Sequence, residues 1–158
     1  MNTLSSPAIT PFLWFDSNAE AAVAFYLSVF PNSRQLSVLR ASADTPSVPA
    51  GGGLTITFEL DGVRFTALNG GPAQGFTDAV SFVIHCRSQD EIDYYWSRLT
   101  SGGGQEIACG WLRDKFGLAW QVIPTQIFEL LRHPGAMRAM MGMKKLILAE
   151  LEAAAQAN

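Results

Sequence analysis

Residues 54–68 read LTITFEL-DG-VRFTAL. Leu54, Ile56, Phe58 and Leu60 alternate with Thr55, Thr57 and Glu59, the pattern of a strand with one apolar and one polar face. Asp61-Gly62 follows, the dipeptide suited to a two-residue hairpin loop because both residues must take positive φ. Val63 to Leu68 runs back as the second arm. The apolar side of such a hairpin needs a cover, which an amphipathic helix supplies, so the Thr and Glu side faces away from the helices.

Upstream, Ile9 to Phe15 reads as a strand with Pro11 near its start, and Asp16-Ser17-Asn18 breaks it. Asn18 is placed as an N-cap for a helix over Ala19 to Phe30, apolar at Ala22, Val23, Phe25, Tyr26, Val29 and Phe30. Pro31-Asn32-Ser33 stops that helix, Gln35 to Arg40 is a short strand, and Ser42 to Gly53 reads as a mobile surface loop with almost nothing to bury. Asn69-Gly70-Gly71-Pro72 ends the unit.

The order then repeats. Ala79 to Cys86 is a strand, Ser88 with Glu91 forms a capping box, and a helix runs to about Leu99. Val23, Phe25 and Tyr26 map onto Ile92, Tyr94 and Tyr95 at one constant shift. Glu106 to Leu112 and Leu118 to Ile123 are further strands, joined through Asp114-Lys115-Phe116-Gly117 and closed by Pro124. The tail is helical in character from Gln126 to Leu131 and from Gly135 to Ala155, interrupted at Pro134-Gly135. These elements predict an α+β fold of two βαβββ modules, 8–72 and 78–125, with a helical extension over 126–158, in one domain spanning 1–158. The modules are expected to form a curved, cup-shaped mixed sheet.

Bulk properties narrow the function. With 48% hydrophobic and 16% charged residues the chain can bury a substantial core, which excludes disordered and fibrous classes. A net charge of −3 offers no basic surface for nucleic acid, and no apolar run is long enough to span a membrane. Two cysteines, Cys86 and Cys109, in a domain that needs no staples point to the reducing cytoplasm, with a disulfide between them as the lesser alternative.

Four motifs stand in this order: ITPFLWFD (9–16), ALNGGP (67–72), CGWLRD (109–114) and GLAWQVIP (117–124). With them and Met143-Lys144-Lys145 the chain resembles the PhnB-like family of the vicinal-oxygen-chelate superfamily, the group of glyoxalase I, extradiol dioxygenases and bleomycin-resistance proteins. The family is often labelled 3-demethylubiquinone-9 3-methyltransferase. That label implies an S-adenosylmethionine cradle, a Gly-rich loop between a strand and a helix. Gly51-Gly52-Gly53 precedes a strand and Gly102-Gly103-Gly104 follows a helix, so both read as turns and the label is discounted. The resemblance also implies a homodimer.

Superfamily enzymes hold a divalent ion with His, Gln or Glu side chains from several strands. Carried over, those slots fall at Thr10 or Pro11, at Thr66 or Ala67, at Ser81 and at Gln121, of which only Gln121 ligates well. The expectation is a small-molecule-binding protein without a catalytic metal. The alternative is a glyoxalase- or dioxygenase-type enzyme with an atypical site on Glu59, His85 and Gln121, and a third reading is an interaction module working through the Met-rich tail.

Strand alternation independently turns Thr55, Thr57, Glu59, Ser81, Val83, His85, Ala119 and Gln121 into the cup, and Phe82, Ile84, Trp120 and Val122 to the core. Glu59 is the inward carboxylate, a candidate general base or a solvated strand-end residue; His85 has the same two readings. Phe12, Trp14 and Trp111 suit a planar or acyl ligand as well as they suit a core. Thr57, Asn69, Ser81, Cys109 and Gln121 complete the candidate ligand contacts, with turn chemistry the plain reading of Asn69 and a small buried thiol that of Cys109. Met137, Met140, Met141 and Met143 place a Met stripe on the tail, to close the open side of the sheet or meet a second subunit.

Overall fold

The computed structural model describes residues 7–72 and 75–157. The chain divides into two compact units at Gly75/Phe76. The first contains β1 (Phe12–Phe15), α1 (Ala19–Val29), β2 (Ser33–Arg40), β3 (Gly53–Leu60) and β4 (Val63–Asn69), in sheet order β1-β4-β3-β2. β1 runs parallel to β4, and the other pairs are antiparallel.

The hairpin forms as its sequence dictates. Leu60 pairs with Val63 across the loop, and Asp61 and Gly62 take φ of 48° and 81°. Ile56, Phe58 and Leu60 are buried with Leu13, Phe15, Phe65 and Ala67, and α1 contributes Ala22, Val23, Tyr26 and Val29 to the buried set. Phe58 stacks between Tyr26 and Phe65, at centroid distances of 6.3 and 5.5 Å.

Two expectations here are corrected. Asn18 stands at the N-cap but its side chain makes no capping bond; Asn69 Oδ1, at the far end of β4, accepts from Ala19 N at 2.9 Å instead. The segment after β2 is a loop, yet it is not bare. Ala41 and Val48 are buried, Thr45 and Val48 share three hydrogen bonds, Asp44 caps Ala50 N, and Ser47 Oγ donates to Asn69 O. A Pro- and Gly-rich composition hides such closure because its partners are backbone groups.

The second unit repeats the order with β5 (Ser81–Cys86), α2 (Gln89–Thr100), β6 (Gln105–Glu106), β7 (Trp111–Arg113) and β8 (Ala119–Pro124), in sheet order β5-β8-β7-β6. Ser88 Oγ caps Glu91 N, while Glu91 Oε2 reaches back to Arg87 N. The single strand expected over Glu106 to Leu112 is two strands. The chain reverses at Cys109-Gly110, with φ of 60° and 81°, and Trp111 N bonds Ala108 O. That reversal supplies the strand needed to complete βαβββ.

The tail folds as α3 (Ile127–Leu130), α4 (Pro134–Met141) and α5 (Leu148–Gln156). Pro134 starts α4 instead of interrupting a helix, and the helix expected over Gly135 to Ala155 breaks between α4 and α5. In that gap Met143 O accepts from Cys109 N, Lys144 O from Gly110 N and Leu146 O from Gln89 Nε2. Gln89 Oε1 accepts from Leu148 N, and Lys145 Nζ lies 2.7 Å from Asp93. The hydrogen bond from Lys145, helped by Gln89, holds the Asp93 carboxyl below its usual range.

Ile123, Ile127, Leu146 and Leu151 form the cluster under the tail, with Met140 and Met143 against it. Met137 and Met141 are exposed, so the methionines do not form one stripe. A Cβ on Gly135 would overlap the Ala154 carbonyl of α5. Gly135→Ala should therefore destabilise the tail by roughly 1–3 kcal/mol, read as a lower thermal midpoint with faster proteolysis after Pro134. Among the described residues no helix is long and apolar enough to cross a membrane.

Candidate functional site

Each sheet has one side covered by α1 or α2 and one that these helices leave open, and most of the sequence-derived candidates sort onto the latter by register. In the first unit Phe12, Thr66, Thr57 and Ser37 form one row across β1, β4, β3 and β2. Trp14, Leu68, Thr55 and Leu39 form the next, and Arg64, Glu59 and Arg34 a third. Phe12 and Trp14 are 57% and 48% exposed, unusual for two large aromatic side chains on neighbouring rows. Trp14 is nonetheless held in place. Its Nε1 donates to Gly71 O at 2.9 Å, and its ring lies where a Cβ on Gly70 would be.

Thr57 and Thr66 bring their hydroxyls to 3.5 Å on this face. Glu59 lies 3.6 Å from Arg34 and pairs in register with Arg64. Sequence reasoning named Glu59 and missed the arginines, although Glu59 and Arg64 stand two residues either side of Asp61-Gly62 and the hairpin register makes them neighbours. Asn69 is differently placed. It is 5% exposed, and beyond its bond to Ala19 its Nδ2 donates to both Glu20 oxygens and to Gly53 O, so its side chain is committed inside the unit.

In the second unit the face away from α2 carries Ser81, Ala119, Arg113 and Gln105 in one row and Val83, Gln121 and Trp111 in the next; in the third row His85 is exposed, while Ile123 is buried in the cluster under the tail. Gln121 Nε2 donates to Ser81 Oγ at 2.9 Å, which turns the amide away from the His85 row. His85 and Val83 are exposed, and Ile84 and Cys86 are buried, as alternation requires. Arg113 Nε donates to Asp78 Oδ1 at 2.8 Å, a second N–H goes to Asp78 Oδ2, and Nη1 donates to Gln105. The Arg113 hydrogen bond holds the Asp78 carboxyl below its usual range. Asp78 stands outside the strand and no sequence signal marks it.

Both cysteines are free thiols. Cys86 is the buried one, and desolvation, with the nearby Glu91 charge, pushes its thiol up to about 12. Cys109, read from sequence as small and buried, is half-buried in the left-handed turn. Alkylation near pH 8 should therefore modify Cys109 and spare Cys86 until the chain unfolds, as mass spectrometry of the labelled protein would register.

Residues 7–123 match the model of the family described as 3-demethylubiquinone-9 3-methyltransferase. The PhnB protein from Bacillus cereus is 31% identical over 75% of this chain and 99% of its own, with a TM-score of 0.66. The chain belongs to this PhnB-like family.

More distant likenesses show the fold alone. A protein from Pseudomonas aeruginosa aligns at 20% identity and TM-score 0.60, covering 75% of the PhnB-like chain and 98% of its own. The fosfomycin resistance protein FosX from Listeria monocytogenes, in complex with Mn(II) and sulfate, aligns at 14% identity and TM-score 0.54, covering 82% and 98%. A comparison with curated proteins finds no match.

The resemblance to the vicinal-oxygen-chelate superfamily implies a divalent ion, and the residues of the PhnB-like chain do not fit one. Ala67 is buried on the helix side, leaving Thr66 on the open face, and Pro11 contributes its carbonyl to Thr66 N. Ser81 and Gln121 are bonded to each other. None of these slots offers an anionic donor or an imidazole. Among the described residues, no three His, Cys, Asp or Glu side chains gather into a group that could hold a metal.

Proposed function

We propose that this PhnB-like protein binds a small, partly apolar molecule against its open sheet faces, without a catalytic metal. The observation that carries the reading is the exposed pair Phe12 and Trp14 on a face that also presents Thr55, Thr57 and Thr66. Full burial of such a side chain is worth roughly 1.5–3 kcal/mol, which an open aromatic pair leaves for a ligand to collect. Trp14 is pinned by its indole bond and by Gly70, so its ring loses little freedom when something stacks on it. Two free thiols suit a reducing, cytoplasmic setting.

The atypical-enzyme reading has less behind it. Glu59, its candidate base, is engaged by Arg34, and Gln121 turns toward Ser81. Among the described residues methyl transfer has no recognisable cofactor cradle, because Gly51-Gly52-Gly53 leads into β3 and Gly102-Gly103-Gly104 follows α2. Native mass spectrometry and elemental analysis, on protein purified without chelator or affinity tag, test the proposal. The expected result is an organic molecule bound to the chain, with its occupancy reduced at least tenfold by Trp14→Ala. A stoichiometric ion that survives dialysis would overturn the metal-free reading.

A further inference from the structure

We propose that the open face of the second sheet receives a neutral head group that both donates and accepts hydrogen bonds, of the amide type, through Ser81, Gln121 and Trp111. This rests on the small-molecule reading above and names the ligand's chemical class.

The bond from Gln121 Nε2 to Ser81 Oγ uses one amide proton and one hydroxyl lone pair. The Ser81 hydroxyl proton and Gln121 Oε1 have no partner among the described residues, so one donor and one acceptor stand side by side. Turning the amide over leaves an equivalent pair, an amide N–H beside a hydroxyl lone pair. The match to a two-sided polar group therefore does not depend on which way the amide faces. Trp111 flanks Gln121 in the same row, and its indole N–H has no partner among the described residues. Val83 flanks it on the other side and is exposed. The row thus combines an oriented polar pair, a flat aromatic wall and an apolar neighbour.

Charge selects against an ionic ligand. The cation in the adjoining row, Arg113, is taken by Asp78 and Gln105. A carboxylate laid on Gln121 would shed water without gaining a counter-ion. His85, in the row beyond, is the group through which an anion would be held instead. A site that hydrogen-bonds both ways rejects analogues lacking either half, because its own polar atoms are left unpaired.

Benzamide, acetophenone and benzoate test this on the full chain. Titrations are followed by NMR on the Gln121 side-chain amide and the Trp111 indole. Benzamide should shift both signals saturably, with acetophenone and benzoate at least tenfold weaker. Gln121→Leu and, as a second variant should that one fail to fold, Ser81→Ala should each weaken benzamide tenfold. Equal binding of acetophenone and benzamide would overturn the donor–acceptor class while leaving small-molecule binding intact. Tighter binding of benzoate, lost in His85→Gln, would overturn the neutral head group. Failure of all three to bind this face, while a co-purifying molecule is held at Trp14, would overturn the present inference alone; failure at both faces would overturn both proposals.

Discussion

Asn69→Ala should cost the first unit roughly 2–3 kcal/mol, the sum of a lost helix cap and the lost amide bonds to Gly53 O and to the exposed Glu20 carboxylate, which passes to water. Asn69 is buried, its Oδ1 satisfies the first free N–H of α1, and its Nδ2 bridges Glu20 and Gly53 O at 2.9–3.0 Å. Asn18 cannot take over, since its own side chain makes no capping bond. Asn69→Asp should also destabilise, because a second carboxylate would face Glu20 without the amide protons. Ser47→Ala, which removes a single bond to Asn69 O, should cost about 1 kcal/mol or less. Urea unfolding of the three variants decides the matter: equal midpoints for Asn69→Ala and Ser47→Ala would show that the bridge carries no special weight. Any loss of ligand binding in Asn69→Ala would then follow from the fold and not from a missing contact.

The second large effect is expected at Asp114, among the described residues the other buried polar side chain, 3% exposed. Its Oδ1 accepts from Phe116 N and Leu118 N at 2.8 and 3.1 Å, and its Oδ2 from the Trp120 indole at 2.9 Å. Bonds to an ionised acceptor are worth roughly 1.5–3 kcal/mol each, so Asp114→Ala should cost roughly 3–5 kcal/mol once relaxation is allowed for. The turn between β7 and β8 would open, and Gln121 on β8 would lose its setting. Asp114→Asn keeps an acceptor for the two backbone donors but sets an amide N–H against the Trp120 N–H. Thermal unfolding should place it between wild type and alanine. An Asn variant as unstable as alanine would mean that the charge, and not the geometry of the turn, holds this corner.

These two residues show what was legible in advance. In the sequence Asp114 reads as a turn residue and it is one, because its backbone donors lie within four positions. Asn69 reads as a turn residue or a ligand contact. Its main partner, Ala19 N, is fifty residues away, and no local pattern reports it. The same distance effect hid the Arg113–Asp78 pair and the clasp from Met143–Leu148 onto Gln89, Asp93 and Cys109-Gly110. The merged strand over Glu106 to Leu112 failed for a different reason: Cys109 adopts a positive φ that sequence assigns to glycine or asparagine, so the reversal was not visible.

By itself the sequence determined the first βαβββ module with its hairpin, the strand–helix repeat that opens the second, the helix faces and the polar composition of the open faces. Those follow from periods of two and 3.6 residues and from turn chemistry, which are local. Only tertiary structure decided which polar side chains are committed to the fold, as Asn69 and Asp114 are, and which remain presented, as Ser81, Gln121 and Trp14 are. That division depends on donors and acceptors brought together across long stretches of chain, and hydrogen-bond saturation is a property of the assembled neighbourhood.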